Sequence, residues 1–299
     1  MEERMKKKII ELIIELYRVA ETKLPDDVIS ALRSAYEKES NRLAKSILSA
    51  ILKNIELSEE LNKPMCQDTG VPTFYLEVGE KFPIKHELRE LIMEATRLAT
   101  AKVPLRPNAV DPFTGNNTGD NTGRFIPYIH WDFVEGNNLK ITLLPKGGGS
   151  ENTVQLRMIS PGLGLEGVKH AVIEAIYDAG GKPCPPVIVG IGIGGGSDIA
   201  LSLAKKAILR PITERHRDRL VAKFESELLD YLNRLGIGPM GLGGDTTVLG
   251  VNIEYAHRHP ASMPIGIVTQ CWAARRASVT IDSRGNTRWI SHREVDLYD

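Results

Sequence analysis

The chain has 299 residues, 42% of them hydrophobic and 25% charged, which suits a globular protein of one large domain or two small ones. Lys plus Arg and Asp plus Glu number 38 each, so no net field favours nucleic acid or an anionic membrane as partner. No apolar stretch nears the ~20 residues that span a bilayer, and three cysteines without a secretory leader point to reduced thiols in the cytoplasm.

The N-terminal lysines followed by Ile9-Ile10 and Leu12-Ile13-Ile14 imitate a leader, but Glu11 and Glu15 break the apolar run and predict an amphipathic helix. Residues 5 to about 60 read as helices throughout, with a start signal at Leu24-Pro25-Asp26-Asp27 and helical spacing from Ala31 to Leu57. A strand is expected over Thr73–Val78 and a helix over Lys85–Lys102. Residues 103–127, rich in Pro, Asn, Gly and Asp, form a loop of a length that is usually functional. Tyr128–Phe133 and Leu139–Leu144 read as a hairpin about Glu135-Gly136-Asn137-Asn138. Helices are expected over Leu165–Ala179, Asp198–Leu209 and Thr213–Leu235, and a strand over Val187–Ile193. The remainder is strand-rich, with a hairpin at Ser283-Arg284-Gly285-Asn286. This predicts a mixed α/β (α+β) fold, sheets flanked by helices, in a single domain 1–299. Its parts are a helical segment 1–60 and an α/β portion 61–299, sharing one integrated core.

Cys66, Cys184 and Cys271 sit in three separate strand-end loops. A lone cysteine is as readily a small apolar packing residue, but three thiolates can hold a four-iron cluster and leave one iron open, whereas an electron carrier uses four ligands. Zinc is the other candidate metal, yet no closely paired CxxC occurs. Arg106, in Arg106-Pro107-Asn108, offers a planar fork for a carboxylate; a solvated turn is the plain alternative. Lys146-Gly147-Gly148-Gly149-Ser150 is either a backbone nest for an anion or a flexible turn. Gly190-Ile191-Gly192-Ile193-Gly194-Gly195 formally satisfies GxGxxG and raises a nicotinamide dehydrogenase, but Glu214, at the ribose-binding distance, lies in a helical context. Those glycines suit close packing or N–H donation instead. Gly241-Leu242-Gly243-Gly244-Asp245 can similarly approach a ligand, and His259 paired with Asp68 would tune an acid/base site.

CQDTG at 66, LRPNAVDPFTGNNTGDNTG at 105, KGGGSEN at 146, GIGIGGGSD at 190, GLGGDTT at 241 and HRHPASMPIGIVTQCWAARR at 257 together resemble the α-type iron–sulfur hydro-lyases, the class I fumarases and L-tartrate dehydratases. The likeness runs from about residue 10 to 290. It implies a 4Fe-4S cluster on Cys66, Cys184 and Cys271. It also implies dicarboxylate contacts from Gln67, Asp68, Arg106 and the Gly149 backbone, with His259 behind Asp68 and Arg124 and Lys146 in matching segments. Single-chain members continue into a β-type domain, whereas this sequence ends at Asp299. The resemblance thus implies the α subunit of a cytoplasmic α₂β₂ enzyme, a separate β subunit completing the site. The main expectation is fumarate hydratase of the tricarboxylic acid cycle, turning L-malate into fumarate. The alternatives are an L-tartrate dehydratase α subunit, a NAD-dependent oxidoreductase and a non-catalytic iron–sulfur carrier.

Overall fold

The computed structural model describes residues 2–292. The first elements are helices α1 (Glu2–Thr22), α2 (Asp26–Lys38) and α3 (Arg42–Leu61), strand β1 (Val71–Gly79), helix α4 (Leu88–Lys102), and strands β2 (Tyr128–Val134) and β3 (Asn138–Lys146). Then come the short helix α5 (Gly148–Glu151), strand β4 (Gln155–Ile159), helix α6 (Gly164–Ala179), strand β5 (Val187–Gly195), and helices α7 (Ser197–Ala207) and α8 (Arg219–Asn233). Strands β6 (Val248–Arg258), β7 (Met263–Gln270), β8 (Ala277–Asp282) and β9 (Thr287–Trp289) finish the described chain. The fold is mixed α/β, as expected. Where one core is expected, the described residues form two. One compact unit takes Met1–Asp26, Asn54–Lys146 and Arg275–Asp299; the other takes Asp27–Lys53 and Gly147–Ala274.

The first unit is built on a sheet of order β2-β1-β3-β8-β9. Alternation in β1 buries Phe74, Leu76 and Val78 against α1 and α4, and the apolar stripe Ile9, Leu12, Ile13, Leu16 of α1 covers them. Tyr17 joins the two helices: its ring meets Phe74 edge-on at 5.9 Å and its hydroxyl bonds Thr96 Oγ1 at 3.0 Å. The expected β2–β3 hairpin does not form. β1 lies between them, parallel to β2 and antiparallel to β3. The turn after β2 instead straddles the end of β1, where Glu80 N–H donates to Val134 O and Lys81 N–H to Gly136 O, both at 2.9 Å. A side chain at Gly79 would meet the Gly136 carbonyl at 2.7 Å, so the crossing needs glycine there. The Ser283–Asn286 hairpin does form, joining β8 to β9.

The second unit holds a sheet of order β4-β7-β5-β6. Its face of Val187, Val189, Ile191, Val251, Ile253, Ile265 and Ile267 packs on Val168, Val172 and Ile176 of α6 and Leu228 and Leu232 of α8. The other face carries α7, and here the GxGxxG glycines find their use. A Cβ on Gly190 would lie 2.3 Å from Ala204 O, and one on Gly192 1.9 Å from Ala200 O. These glycines let a helix lie directly on the strand. Helix α8 starts at Arg219 rather than Thr213, because the Asp218 carboxylate accepts the Leu220 N–H (2.8 Å) as an N-cap. Residues before it are pinned otherwise: buried Glu225 accepts from His216 N–H (3.2 Å) and from Arg210 Nη2 (2.5 Å). Helix α4 likewise starts late, at Leu88, and strand β4 was not foreseen, being five residues at a sheet edge.

Candidate active site

In the first unit the Cys66 loop is held from both sides. Met65 N–H donates to the Glu21 carbonyl at 3.0 Å, and Asn54 Nδ2 donates to Met65 O at 2.8 Å. Asp68 closes the following turn by accepting Gly70 N–H at 2.9 Å. Gly70 has φ +74° and backs onto Lys146, the last residue of β3. A Cβ there would be 2.8 Å from the Lys146 nitrogen, so only glycine allows Asp68 to ride so close to the strand end.

The long loop is no solvated turn. Asn121 is buried at φ +58° and acts as its internal core. Its Oδ1 accepts Asn108 N–H (2.7 Å), and its Nδ2 donates to Thr100 Oγ1 and to Arg106 O, each at 3.1 Å. Asn108 Nδ2 reaches Gly70 O (3.0 Å) and more distantly Asp68 Oδ1 (3.4 Å), while Arg106 N–H donates to Thr69 Oγ1 (3.0 Å). Arg106 therefore stands on a rigid base beside Asp68, its guanidinium exposed. Gln67 is exposed next to half-buried Cys66, whose thiol points to Gln67 Oε1 at 3.5 Å. Arg124 lies over the Phe125 ring, 5.7 Å from its centre, in an exposed turn. Thus Cys66, Gln67, Asp68, Arg106 and Lys146 share one neighbourhood. The sequence signal missed there was Asn121, which reads as one more polar loop residue until its left-handed backbone is seen.

In the second unit, Gly149, Cys184 and Cys271 gather at one end of the sheet. Trp272 N–H donates to the Cys184 carbonyl at 3.2 Å. Thr153 and Thr269 share a hydroxyl bond of 2.7 Å, and Thr269 Oγ1 also reaches Ser150 O at 3.3 Å, fixing α5 to the end of β7. A Cβ on Gly149 would meet Lys182 O at 3.3 Å, two residues before exposed Cys184. His259 does not join them. It lies in the exposed β6–β7 turn, where its Nδ1 accepts Ala261 N–H at 3.1 Å. The eight residues of β7 separate that turn from Cys271, about 25 Å at ~3.3 Å per residue. The glycine loop 241–247 is tied down within this unit. Its Asp245 accepts the N–H and hydroxyl of Ser40 (2.9 and 2.6 Å), and buried Glu39 accepts Asp245 N–H in return (3.0 Å), clamping the loop to the α2–α3 turn.

None of the three cysteines is in a disulfide. Among the described residues no three His, Cys, Asp or Glu side chains are gathered as a site for one metal ion. Beside Cys271, Gln270 is buried and neither atom of its amide has a hydrogen-bond partner among the described residues. Also among them, no helix is long and apolar enough to cross a membrane.

Residues 10–280 match the family described as fumarate hydratase (Fumerase), and the chain is accordingly a hydro-lyase. A Methanocaldococcus jannaschii protein bearing the provisional name L(+)-tartrate dehydratase subunit alpha is 51% identical over 274 residues, 90% of this chain and 96% of that one. The L(+)-tartrate dehydratase subunit alpha of Escherichia coli is 38% identical over 291 residues, 97% and 96% of the two chains. The chain belongs to the fumarate hydratase (Fumerase) family, among relatives named as α subunits.

Proposed function

We propose that this chain is the α subunit of an L-tartrate dehydratase, working with a separate β subunit in a reducing, cytoplasmic setting. The likeness over nine-tenths or more of the chain to proteins of that name carries the choice, and it reverses the preference for malate that the motifs suggest. L-Malate/fumarate is the second reading, since the family is described as fumarate hydratase. The substrates differ by one hydroxyl, and a pocket wall on the β subunit can decide between them. An α₂β₂ assembly accompanies the proposal.

The proposed cofactor is a 4Fe-4S cluster held by Cys66, Cys184 and Cys271, whose three thiols are the donor type such a cluster takes. All three are thiols outside disulfides, two of them in segments joined by a hydrogen bond. The buried, unpartnered amide of Gln270 adjoins the third ligand, as expected where a further group completes the polar surroundings. Ligands of one ion crowd within about 4 Å of each other, given metal–sulfur bonds of ~2.3 Å; each thiolate of a cluster holds a different iron, so a single-ion grouping is not required. When bound, such a cluster supplies Lewis acidity toward the substrate hydroxyl and carboxylate.

The chain's own residues do the rest. Arg106, on its fixed loop, clamps a carboxylate through two parallel N–H bonds, and Gln67 and the Gly149 N–H hydrogen-bond the same acid. Lys146 and Arg124 are retained as supporting cations. Asp68 holds the proton of the departing oxygen. The C–O bond breaks at one carbinol carbon and the C–H bond at the next; water leaves, and the enol rearranges to oxaloacetate. The carbon base belongs to the β subunit. His259, in the β6–β7 turn, is kept as the proposed partner of Asp68.

The test is co-purification of both subunits without oxygen, iron and sulfide analysis, and turnover of each acid. L-Tartrate should exceed L-malate in kcat/KM by about tenfold or more. A preference for malate would overturn the substrate choice, and an active enzyme without iron would overturn the cluster.

A further inference from the structure

Beneath the Cys66 loop lies an ion pair that the proposed chemistry does not use. Glu21, in the last turn of α1, is 0% exposed, and Arg275 is 1% exposed; Arg275 Nη1 donates to Glu21 Oε2 at 2.6 Å. The other carboxylate oxygen, Oε1, is buried without a partner among the described residues. Burial raises the Glu21 carboxyl to about 7, against the lowering effect of Arg275, and the Asp68 charge pushes it further up.

A pair so placed is a poor device for stability. Removing two charges from water costs about as much as their attraction returns, and apolar residues of like volume commonly do as well or better. What the pair does supply is direction. The same residue whose side chain holds Arg275 also receives, on its carbonyl, the Met65 N–H that precedes Cys66. Asn54 Nδ2 holds Met65 from the other side, and Ser58 Oγ ties Lys63 O (2.6 Å) and Thr22 O (3.2 Å) together just before it. The end of α1 and the end of α3 thus grip the strand of chain that delivers Asp68.

We propose that Glu21, through its buried pair with Arg275, is a positioning residue that sets the orientation of Asp68 during dehydration. This inference rests on the role given to Asp68 above, and the experiment separates the two.

Glu21→Gln alone changes one member of a buried pair and leaves the other, so it is the wrong variant on its own. The decisive one is the double replacement Glu21→Leu with Arg275→Met, which keeps the volume and removes both charges. It is compared with wild type and Asp68→Asn, each assembled with the β subunit. Melting temperature, iron per chain, kcat and KM are measured on the better of tartrate and malate. The expected result is a melting temperature and iron content like those of wild type, KM within threefold, and kcat lower by tenfold or more. Wild-type kcat in the double variant, with Asp68→Asn inactive, overturns the positioning role and leaves Asp68 standing. A fully active Asp68→Asn overturns the reading on which both rest. Should the double variant not fold, Glu21→Asp decides by the same kcat: the charge is kept but its reach shortened by a methylene, and unchanged turnover rejects the proposal.

Discussion

The backbone N–H of Trp272 donates to the carbonyl of Cys184 at 3.2 Å, which ties the residue after Cys271 to Cys184 itself. The two cysteines are 87 positions apart in the chain (271 − 184). The antiparallel pairing of Ile188 with Gln270 brings them to the same end of one sheet. Cys184 also has a left-handed backbone, φ +53°, so its direction is set by the loop rather than by a strand.

Replacing Cys184 or Cys271 by serine should therefore remove iron without unfolding the chain. Cys184 is exposed and Cys271 half-buried, so the loss of either sulfur creates no sizeable core cavity. Iron per chain in the anaerobically assembled enzyme should fall to near zero while the melting temperature of the iron-free chain stays within a few degrees. Full iron content in either variant would remove that cysteine from the ligand set.

Gln270→Leu tests the same end of the sheet from another direction. A buried amide without partners costs about 1–3 kcal/mol, so an apolar replacement should stabilise the iron-free chain. The same change should weaken iron retention if the amide serves the bound group. Urea unfolding of the iron-free chain and the rate of iron loss to a chelator give the two readings. No gain in stability would show that the amide is satisfied in solution.

Asn121 should be the least replaceable residue of the long loop. Asn121→Ala loses three hydrogen bonds to Asn108, Thr100 and Arg106 and leaves a side chain that dislikes φ +58°. A cost of about 3 kcal/mol is expected, with a raised KM because Arg106 loses its base. Asn121→Gly should recover the backbone part only. Thermal unfolding of both variants, beside their KM for tartrate, separates the two contributions.

What could be read from the sequence was whatever depended on neighbours in the chain. The helices over 165–179 and the apolar strand after Cys184 declare themselves by periodicity, and the site loops by combinations of residues that have no other purpose. The hairpin about Gly136 misled because local turn chemistry does not say which strand will fill the adjacent place; β1, with Phe74, Leu76 and Val78 on one face, took it. Glu21 escaped notice because a glutamate at the end of an amphipathic helix looks solvated, although it falls four residues after Tyr17 on the buried stripe. The partner that makes sense of it, Arg275, is 254 residues away.

Gly192 offers a sharp test of the packing argument. Its backbone is ordinary, so alanine brings no dihedral strain, yet the added methyl carbon would stand 1.9 Å from the Ala200 carbonyl. Overpacking of this kind costs ~1–3 kcal/mol or more, since α7 must lift from β5. Gly236→Ala is the control for the opposite cause: nothing lies within 4 Å, but φ is +63°. The first should lower stability through core displacement and the second through backbone strain, which a Gly236→Asn variant should largely relieve. Equal tolerance of Gly192→Ala and wild type in urea unfolding would contradict the close helix–strand contact.

His292 should make stability fall as the solution is acidified. Burial brings its imidazole down from 6.5 to about 4, with the Arg276 charge acting in the same direction and the Lys23 backbone and Asp26 opposing. The unfolded chain therefore takes up a proton near pH 6.5 that the folded chain refuses until about pH 4. In that window the unfolded state binds more protons, and linkage requires stability to decrease as pH falls. The loss attributable to this residue approaches ~3 kcal/mol at pH 4, at about 1.4 kcal/mol for each tenfold rise in proton concentration, and none of it is felt above pH 7. His292→Phe should flatten that part of the profile while leaving the acid limb due to carboxylates. If urea unfolding of the two proteins shows the same slope between pH 6.5 and 4, His292 is protonated in the folded chain, and the low-dielectric environment inferred for it is wrong.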